Sequence, residues 1–281
     1  NDDPVLIRHI EHQIVERGFE EGWVRPVPAT RTTGKRVAVI GSGPTGLAAA
    51  QQLVRVGHEV VVFEKDLEVG GLLRYGIPDF KLEKRIIDRR IEQLEAEGVE
   101  FQTDVNAGKD ISPHYLRKMF DCVCLATGAG QPRDLSVPGH DYQNVLFAID
   151  FLSQQNRLCS GEQAEASPDI MTARDKRVVV IGGGDTGSDC VGTARRQGAS
   201  HILQLEILPE PPETRPPDTP WPDWPRIMRT SSSQEEGCQR RWSVSTKKLS
   251  GGGGVFAEKL HCCEVEWIES SKGWKIKEVP G

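Results

Sequence analysis

The chain has 281 residues and carries 35 Lys and Arg against 41 Asp and Glu, a formal net charge of −6. That mild acidity argues against a nucleic-acid partner, which needs a clustered basic face. Apolar runs such as Val37–Ile40 and Val178–Ile181 are four residues long, against roughly twenty for a membrane-spanning helix, so no membrane partner is expected, and the length suits two domains.

Asp3 and Pro4 stand where a helix cap and first helical residue belong. Leu6, Ile10 and Ile14 then recur every four residues beside Ile7, which predicts an amphipathic helix ending near Gly18 or Gly22. Pro26 and Pro28 follow in a linker, so residues 1–33 form an arm that must lie on something else. The first domain spans 34–140. It opens with the strand Val37–Ile40, the loop Gly41-Ser42-Gly43-Pro44-Thr45-Gly46, the helix Leu47–Val56 and the strand Glu59–Phe63, which ends in Glu64 and Lys65. After Gly70-Gly71 come an amphipathic helix over Leu82–Glu97, a short strand at Val99–Phe101, a polar stretch, and the strand Cys122–Ala126 running into Thr127-Gly128.

The second domain spans 141–281, and a hinge is expected near 139–145. A helix over Val145–Leu158 and a polar loop lead to the strand Val178–Ile181, the loop Gly182-Gly183-Gly184-Asp185-Thr186-Gly187, a helix to Gln197, and the strand Ile202–Leu205 ending in Glu206. Residues 207–248 crowd eight prolines with Trp221 and Trp224, and Arg215, Arg226, Arg229, Arg240 and Arg241 make the stretch basic. The two tryptophans are expected to pack against the proline-rich loop. Residues 249–281 suggest a strand pair broken by Gly251–Gly254.

The internal repeat carries the functional signal. Each glycine loop follows an apolar strand and opens a helix, and an acid ends the next strand, 23 residues after the first glycine in one unit and 24 in the other. That context is what the dinucleotide fingerprint requires. Gly41 and Gly182 allow the tight turn, Gly43 and Gly184 let a pyrophosphate approach the backbone, and Gly46 and Gly187 let helix and strand pack closely. The pyrophosphate then faces the free N–H groups of the helix N-terminus, by Pro44 in one loop and Asp185 and Thr186 in the other. The predicted fold is therefore α/β: two Rossmann-like dinucleotide-binding domains with parallel sheets and a short helical N-terminal arm. Glu64 and Glu206 are the candidate ribose ligands. Glu206 favours NADH, because a carboxylate suits a free 2′-hydroxyl and repels a 2′-phosphate; Arg215, Arg226 and Arg229 offer the alternative of pairing with that phosphate. Asp185 serves equally well as a residue that complements the helix dipole.

Two dinucleotide sites in one chain imply two dinucleotides, most economically FAD as hydride acceptor and NADH or NADPH as donor. No catalytic acid, base or nucleophile is then required of the protein. Seven cysteines without a C-x-x-C spacing offer no redox dithiol and no zinc ribbon. No metal site is predicted, and the thiols are expected to be free and mostly buried. The acidic start, Asn1-Asp2-Asp3-Pro4, is unlike a signal peptide, which points to the cytoplasm.

Gly70-Gly71-Leu72-Leu73-Arg74-Tyr75-Gly76-Ile77-Pro78-Asp79-Phe80-Lys81-Leu82 resembles a segment of the glutamate synthase small (β) subunit family, flavoproteins like the pyridine nucleotide-disulphide oxidoreductases. Gly183 through Cys190, and Leu208-Pro209-Glu210-Pro211-Pro212 through Trp221-Pro222 to Trp224-Pro225-Arg226, share that resemblance. It implies FAD on the first unit, with Glu64, Lys65, Gly71, Leu72, Thr127 and Gly128 beside it, and NAD(P)H on the second. It also implies that electrons leave through iron–sulfur clusters to the large (α) subunit, which makes glutamate from 2-oxoglutarate and glutamine nitrogen. The family's cluster cysteines lie ahead of the arm, whereas the first cysteine here is Cys122. The resemblance therefore implies a fragment without the N-terminal iron–sulfur domain and the C-terminal segment that closes the FAD site, the clusters belonging to that missing domain or to the partner. The alternatives are a nucleotide-binding or assembly fragment without turnover, and a stand-alone NAD(P)H:ferredoxin-type reductase.

Overall fold

A computed structural model describes residues 5–164, 170–270 and 273–279. Asp3 and Pro4, and with them the expected helix cap, lie outside the described residues. The chain divides into two compact units, one of residues 1–74 and 79–130, the other of residues 75–78 and 131–281.

In the first unit the elements run α1 (Ile7–Glu20), β1 (Arg36–Ile40), α2 (Pro44–Arg55), β2 (Glu59–Phe63), α3 (Leu72–Tyr75, whose last residue falls in the second unit), α4 (Lys84–Ala96), β3 (Val99–Gln102), α5 (Pro113–Met119) and β4 (Cys122–Leu125). The four strands form one parallel sheet in the order β3-β2-β1-β4. Alternation along β1 and β2 sends Val37, Val39, Val60 and Val62 to a core with Leu47, Ala50, Val54 and Leu94. It sends Ala38, Ile40, Val61 and Phe63 to a second core with Leu116 and Phe120. Both faces are covered, which is why these strands are continuous apolar runs rather than alternating ones. Helix α5 fell within the polar stretch of the sequence. Its signals were local ones, Ser112 capping through the Tyr115 amide and Pro113 at the first turn.

Arm helix α1 lies on α4, but not by its expected stripe. Arg89 pairs with Glu16 at 2.7 Å and stacks 3.8 Å from the Phe19 ring centre, while Leu6, Ile7, Ile10 and Ile14 are exposed. At the C-terminus of α4, Glu97 is 2% exposed and its carboxylate takes two 2.7 Å bonds from Arg55 and others from Gln51 and Gln93. Burial pushes its pKa up, but these bonds, led by Arg55, outweigh that and hold it below its ordinary value.

The second unit runs α6 (Ala148–Ser160), β5 (Arg177–Ile181), α7 (Asp185–Arg196), β6 (His201–Leu205), α8 (Ser232–Glu235), β7 (Gln239–Arg241), β8 (Val244–Ser250), β9 (Lys259–Ser270) and β10 (Gly273–Glu278). Strands β5-β6-β7 form a parallel sheet, and β10-β9-β8 an antiparallel one. Three antiparallel strands thus replace the expected pair. The segment expected as a hinge is bound to β8 and to the β8–β9 connection: the Leu249 amide donates to Pro138 O at 2.8 Å, the Gln143 amide to Val255 O at 3.0 Å, and Asn144 bonds the Ala257 backbone in both directions.

Candidate dinucleotide sites

Both glycine loops are built by the same contacts. Gly41 and Gly182 lie at φ +102° and +125°, the left-handed region where a side chain is strained. Each donates its amide to the strand across, to Phe63 O and Leu205 O, both at 2.8 Å. A Cβ on Gly46 would sit 1.9 Å from Gly41 O, and one on Gly187 2.3 Å from Gly182 O. These two glycines are what lets helix and strand approach. A Cβ on Gly43 or Gly184 would meet nothing within 4 Å, and both residues are helix N-caps with no side-chain cap bond. Open space therefore lies over uncapped helix N-termini in both units, the arrangement that accepts a phosphate group.

The acids match as well. Glu64 Oε2 accepts from the Ser42 amide at 3.0 Å and from the Ser42 hydroxyl, and its Oε1 accepts from the Asp66 amide at 3.0 Å. Glu206 Oε2 accepts from the Gly183 amide at 2.8 Å, and its Oε1 from the Leu208 amide at 3.0 Å. In each unit one oxygen grips the residue after the first glycine and the other grips the residue two after the acid. Glu64 is 5% exposed and Glu206 half-buried.

The remaining sequence candidates sort clearly. Gly71 lies over the first loop, since its Cβ would be 2.8 Å from Gly43 Cα. Gly70 donates to the Ser42 hydroxyl at 2.9 Å. Lys65 and Leu72 are exposed near it, and Thr127 and Gly128 are exposed beyond β4, where Ala126 O would lie 2.5 Å from a Cβ on Gly41. Pro44 opens α2 and Asp185 opens α7, with Asp185 and Thr186 exposed. Sequence reasoning missed Ser42, the variable residue of its loop, and Gln204. Gln204 is buried in β6 and donates to Gly182 O at 2.9 Å, while its own carbonyl takes a bond from Gln234. A glutamine inside an apolar strand was the one signal available for it.

Trp221 and Trp224 are 84% and 75% exposed, which corrects the expected packing; Trp224 instead holds the Arg229 guanidinium 4.1 Å from its ring centre. The expectation of mostly buried thiols is also corrected, since Cys190 alone of the seven is buried. Burial, with Asp189 beside it, pushes its pKa up to about 12. Among the described residues no group of three or more His, Cys, Asp and Glu could hold a metal ion, and no helix is long and apolar enough to cross a membrane.

Residues 35–219 match the family described as pyridine nucleotide-disulphide oxidoreductase. The chain is 51% identical over 265 residues to a glutamate synthase (NADPH) small chain of Mycobacterium tuberculosis, covering 93% of this chain and 54% of that one. It is 42% identical over 288 residues to a glutamate synthase (NADH) of Schizosaccharomyces pombe, covering 99% of this chain and 14% of that protein. The chain thus spans about half the length of the small chain it matches. Among solved structures it superposes on Mycobacterium tuberculosis FprA in complex with NADPH with a TM-score of 0.68 at 19% identity, covering 88% of this chain and 67% of that one, which shows a shared fold.

Proposed function

This chain belongs to the pyridine nucleotide-disulphide oxidoreductase family, and from that premise we propose that it binds FAD on the first glycine loop and NAD(P)H on the second, as the pyridine-nucleotide-oxidising part of a glutamate synthase small subunit. The observation that carries the reading is the repeated device of uncapped helix, open second glycine and loop-gripping acid. When both cofactors are bound, the nicotinamide supplies a hydride and the flavin accepts it.

The residues present fit such ligands. The open face of Gly43, with the free amides at the start of α2, receives one pyrophosphate, and Gly184 with Asp185, Thr186 and Gly187 receives the other. Glu64 and Glu206 orient the loops through the amides they accept, and each carboxylate offers about four acceptor positions, so room remains for a ribose hydroxyl. Gly71, Leu72, Lys65, Thr127 and Gly128 border the first site. No residue of the chain is given an acid–base role.

Electron delivery to iron–sulfur clusters and to a large subunit, and glutamate formation from 2-oxoglutarate and glutamine, belong to the same proposal. The 51% and 42% identity to glutamate synthases supports it, as does the proline- and tryptophan-rich stretch through which the resemblance runs.

The test is a visible spectrum of the purified chain with FAD, before and after anaerobic NADPH or NADH. The expected result is a bound-flavin band at about 450 nm that bleaches on reduction. Flavin that binds and never bleaches would favour a nucleotide-binding or assembly role. Flavin that washes away would refute the assignment of the first loop.

A further inference from the structure

Residues 75–78 stand in the second compact unit, although the residues on either side of them belong to the first. A buried side chain holds them there. Asn156, on α6 and 5% exposed, donates through Nδ2 to Tyr75 O at 2.9 Å and to Ile77 O at 3.2 Å. Tyr75 is buried as well, with the Arg157 guanidinium 4.7 Å from its ring centre, and its hydroxyl donates to the Glu162 carboxylate at 3.2 Å. Helix α6 is itself fixed: Leu152 lies in the core of the second unit, and Gln154 bonds the Met171 backbone in both directions. Asparagine is a poor helix former, and burying its amide is favourable only where hydrogen bonds replace water. The two carbonyls of residues 75 and 77 supply them.

The same stretch of chain begins at the first glycine loop. The Gly70 amide donates to the Ser42 hydroxyl at 2.9 Å, and a Cβ on Gly71 would meet Gly43 Cα at 2.8 Å. The Leu73 and Arg74 amides donate back to Gly70 O and Gly71 O, both at 3.1 Å. Arg74 locks that turn, with Nε donating to Val69 O at 2.7 Å and the guanidinium paired with Asp88. From Gly71 to Tyr75 the chain is a single turn of helix, about 6 Å of rise. One end of this short link borders the open face of Gly43 and the other is gripped by Asn156, so neither end can shift freely of the other.

We propose that Asn156 is a positioning residue for the first dinucleotide site: from α6 it holds, through Tyr75 and α3, Gly70 and Gly71 against the phosphate-accepting loop. The inference rests on the first loop being the FAD site. Asn156 acts through the backbone it holds, and its contribution is preorganisation. With both carbonyls held, residues 70–77 are already ordered when flavin arrives. Without the amide, two buried carbonyls lose a donor, and ordering that segment opposes FAD binding.

Flavin fluorescence titration and calorimetric titration with NADP+, run on the full chain and on Asn156→Ala, test this. Two hydrogen bonds of ordinary net strength correspond to about tenfold in affinity. FAD should therefore bind about tenfold more weakly to the variant, while NADP+ affinity on the second unit, where Asn156 itself resides, stays within about twofold. Without flavin, hydrogen exchange at the amides of residues 70–74 should quicken by about the same tenfold. Tyr75→Phe removes the hydroxyl that Glu162 accepts; it should weaken FAD binding by about threefold and keeps the test open if Asn156→Ala fails to fold. A merely structural asparagine predicts the reverse order, because damage to α6 strikes the second unit first. NADP+ affinity falling with or before FAD affinity, or FAD affinity and exchange at residues 70–74 unmoved by both substitutions, would overturn the positioning role while leaving the first loop standing. If the unsubstituted chain binds no FAD, the reading of the first loop falls and takes this inference with it.

Discussion

Two alanine substitutions three residues apart in the first loop should have opposite consequences. In Gly46→Ala the new methyl carbon would lie 1.9 Å from Gly41 O and 3.0 Å from its carbonyl carbon. Real contacts of this kind essentially never fall under 3.0 Å, so helix α2 and the loop would have to separate by more than 1 Å. The atoms in the way are backbone, which cannot rotate aside. Overpacking of this kind costs about 1–3 kcal/mol, and the upper end applies here; that corresponds to a fall of roughly 10 °C in melting temperature. In Gly43→Ala the methyl meets nothing within 4 Å, and the residue sits at φ −66°, ψ −178°, which alanine adopts freely. Stability without ligand should hold, or rise by about 0.5 kcal/mol through the lost freedom of the unfolded chain. The space the methyl enters is the space a pyrophosphate needs, so FAD affinity should fall by about a hundredfold, some 2.7 kcal/mol. Denaturant unfolding without flavin reads the first effect, and flavin fluorescence titration reads the second. A Gly43→Ala chain that binds FAD as the unsubstituted chain does, or that loses more stability than Gly46→Ala, would refute the reasoning.

Other expectations concern Glu97 and the thiols. The folded-state pKa of Glu97 is lowered from 4.5, so its contribution is fully present above about pH 4.5 and is lost as pH falls through the folded value. Denaturant titrations between pH 3 and 7 should show Glu97→Gln costing about 2 kcal/mol at neutral pH, since Arg55 is one-third exposed and its partner wholly buried, with the difference narrowing in acid. A gap that does not change with pH would count against the ionised pair. For the cysteines, Cys122, Cys159 and Cys262 are exposed, while Cys190 is buried with its thiol pushed up to about 12. Alkylation followed by peptide mapping should label the first three in the native chain and Cys190 only after unfolding. Early labelling of Cys190 would contradict its burial against α6 and β5.

Much of this protein was legible in the one-dimensional pattern. The strand, glycine loop, helix and acid of each unit are local features, and their order fixes a parallel βαβ unit because only that connection returns the chain to the same sheet edge. The pairings of β1 with β2 and of β5 with β6 follow. So do the positions of Gly41, Gly43, Gly46 and their counterparts, since a tight turn and a close approach leave glycine little competition. Helix α5 was harder to see because it is short and lies in a polar stretch, and strand β7 because its three residues are held by pairing with β6.

Two nearly identical strands mark where local information ends. Val37-Ala38-Val39-Ile40 and Val178-Val179-Val180-Ile181 read alike. All four residues of the first are buried, because α2 covers one face of its sheet and α5 with Phe120 the other. In the second, Val180 is buried while Val179 and Ile181 are 43% and 44% exposed, since the packed core of that unit takes only one face of β5. The arginines divide in the same way. Sequence placed five of them in one basic stretch, but which are spent on acidic partners depends on how that stretch and β9 fold. The chain's own order therefore determined the two dinucleotide devices, whose contacts span a single βαβ unit. The tertiary structure alone decided which apolar faces are covered and which cations remain available, because those properties depend on what distant segments place against them.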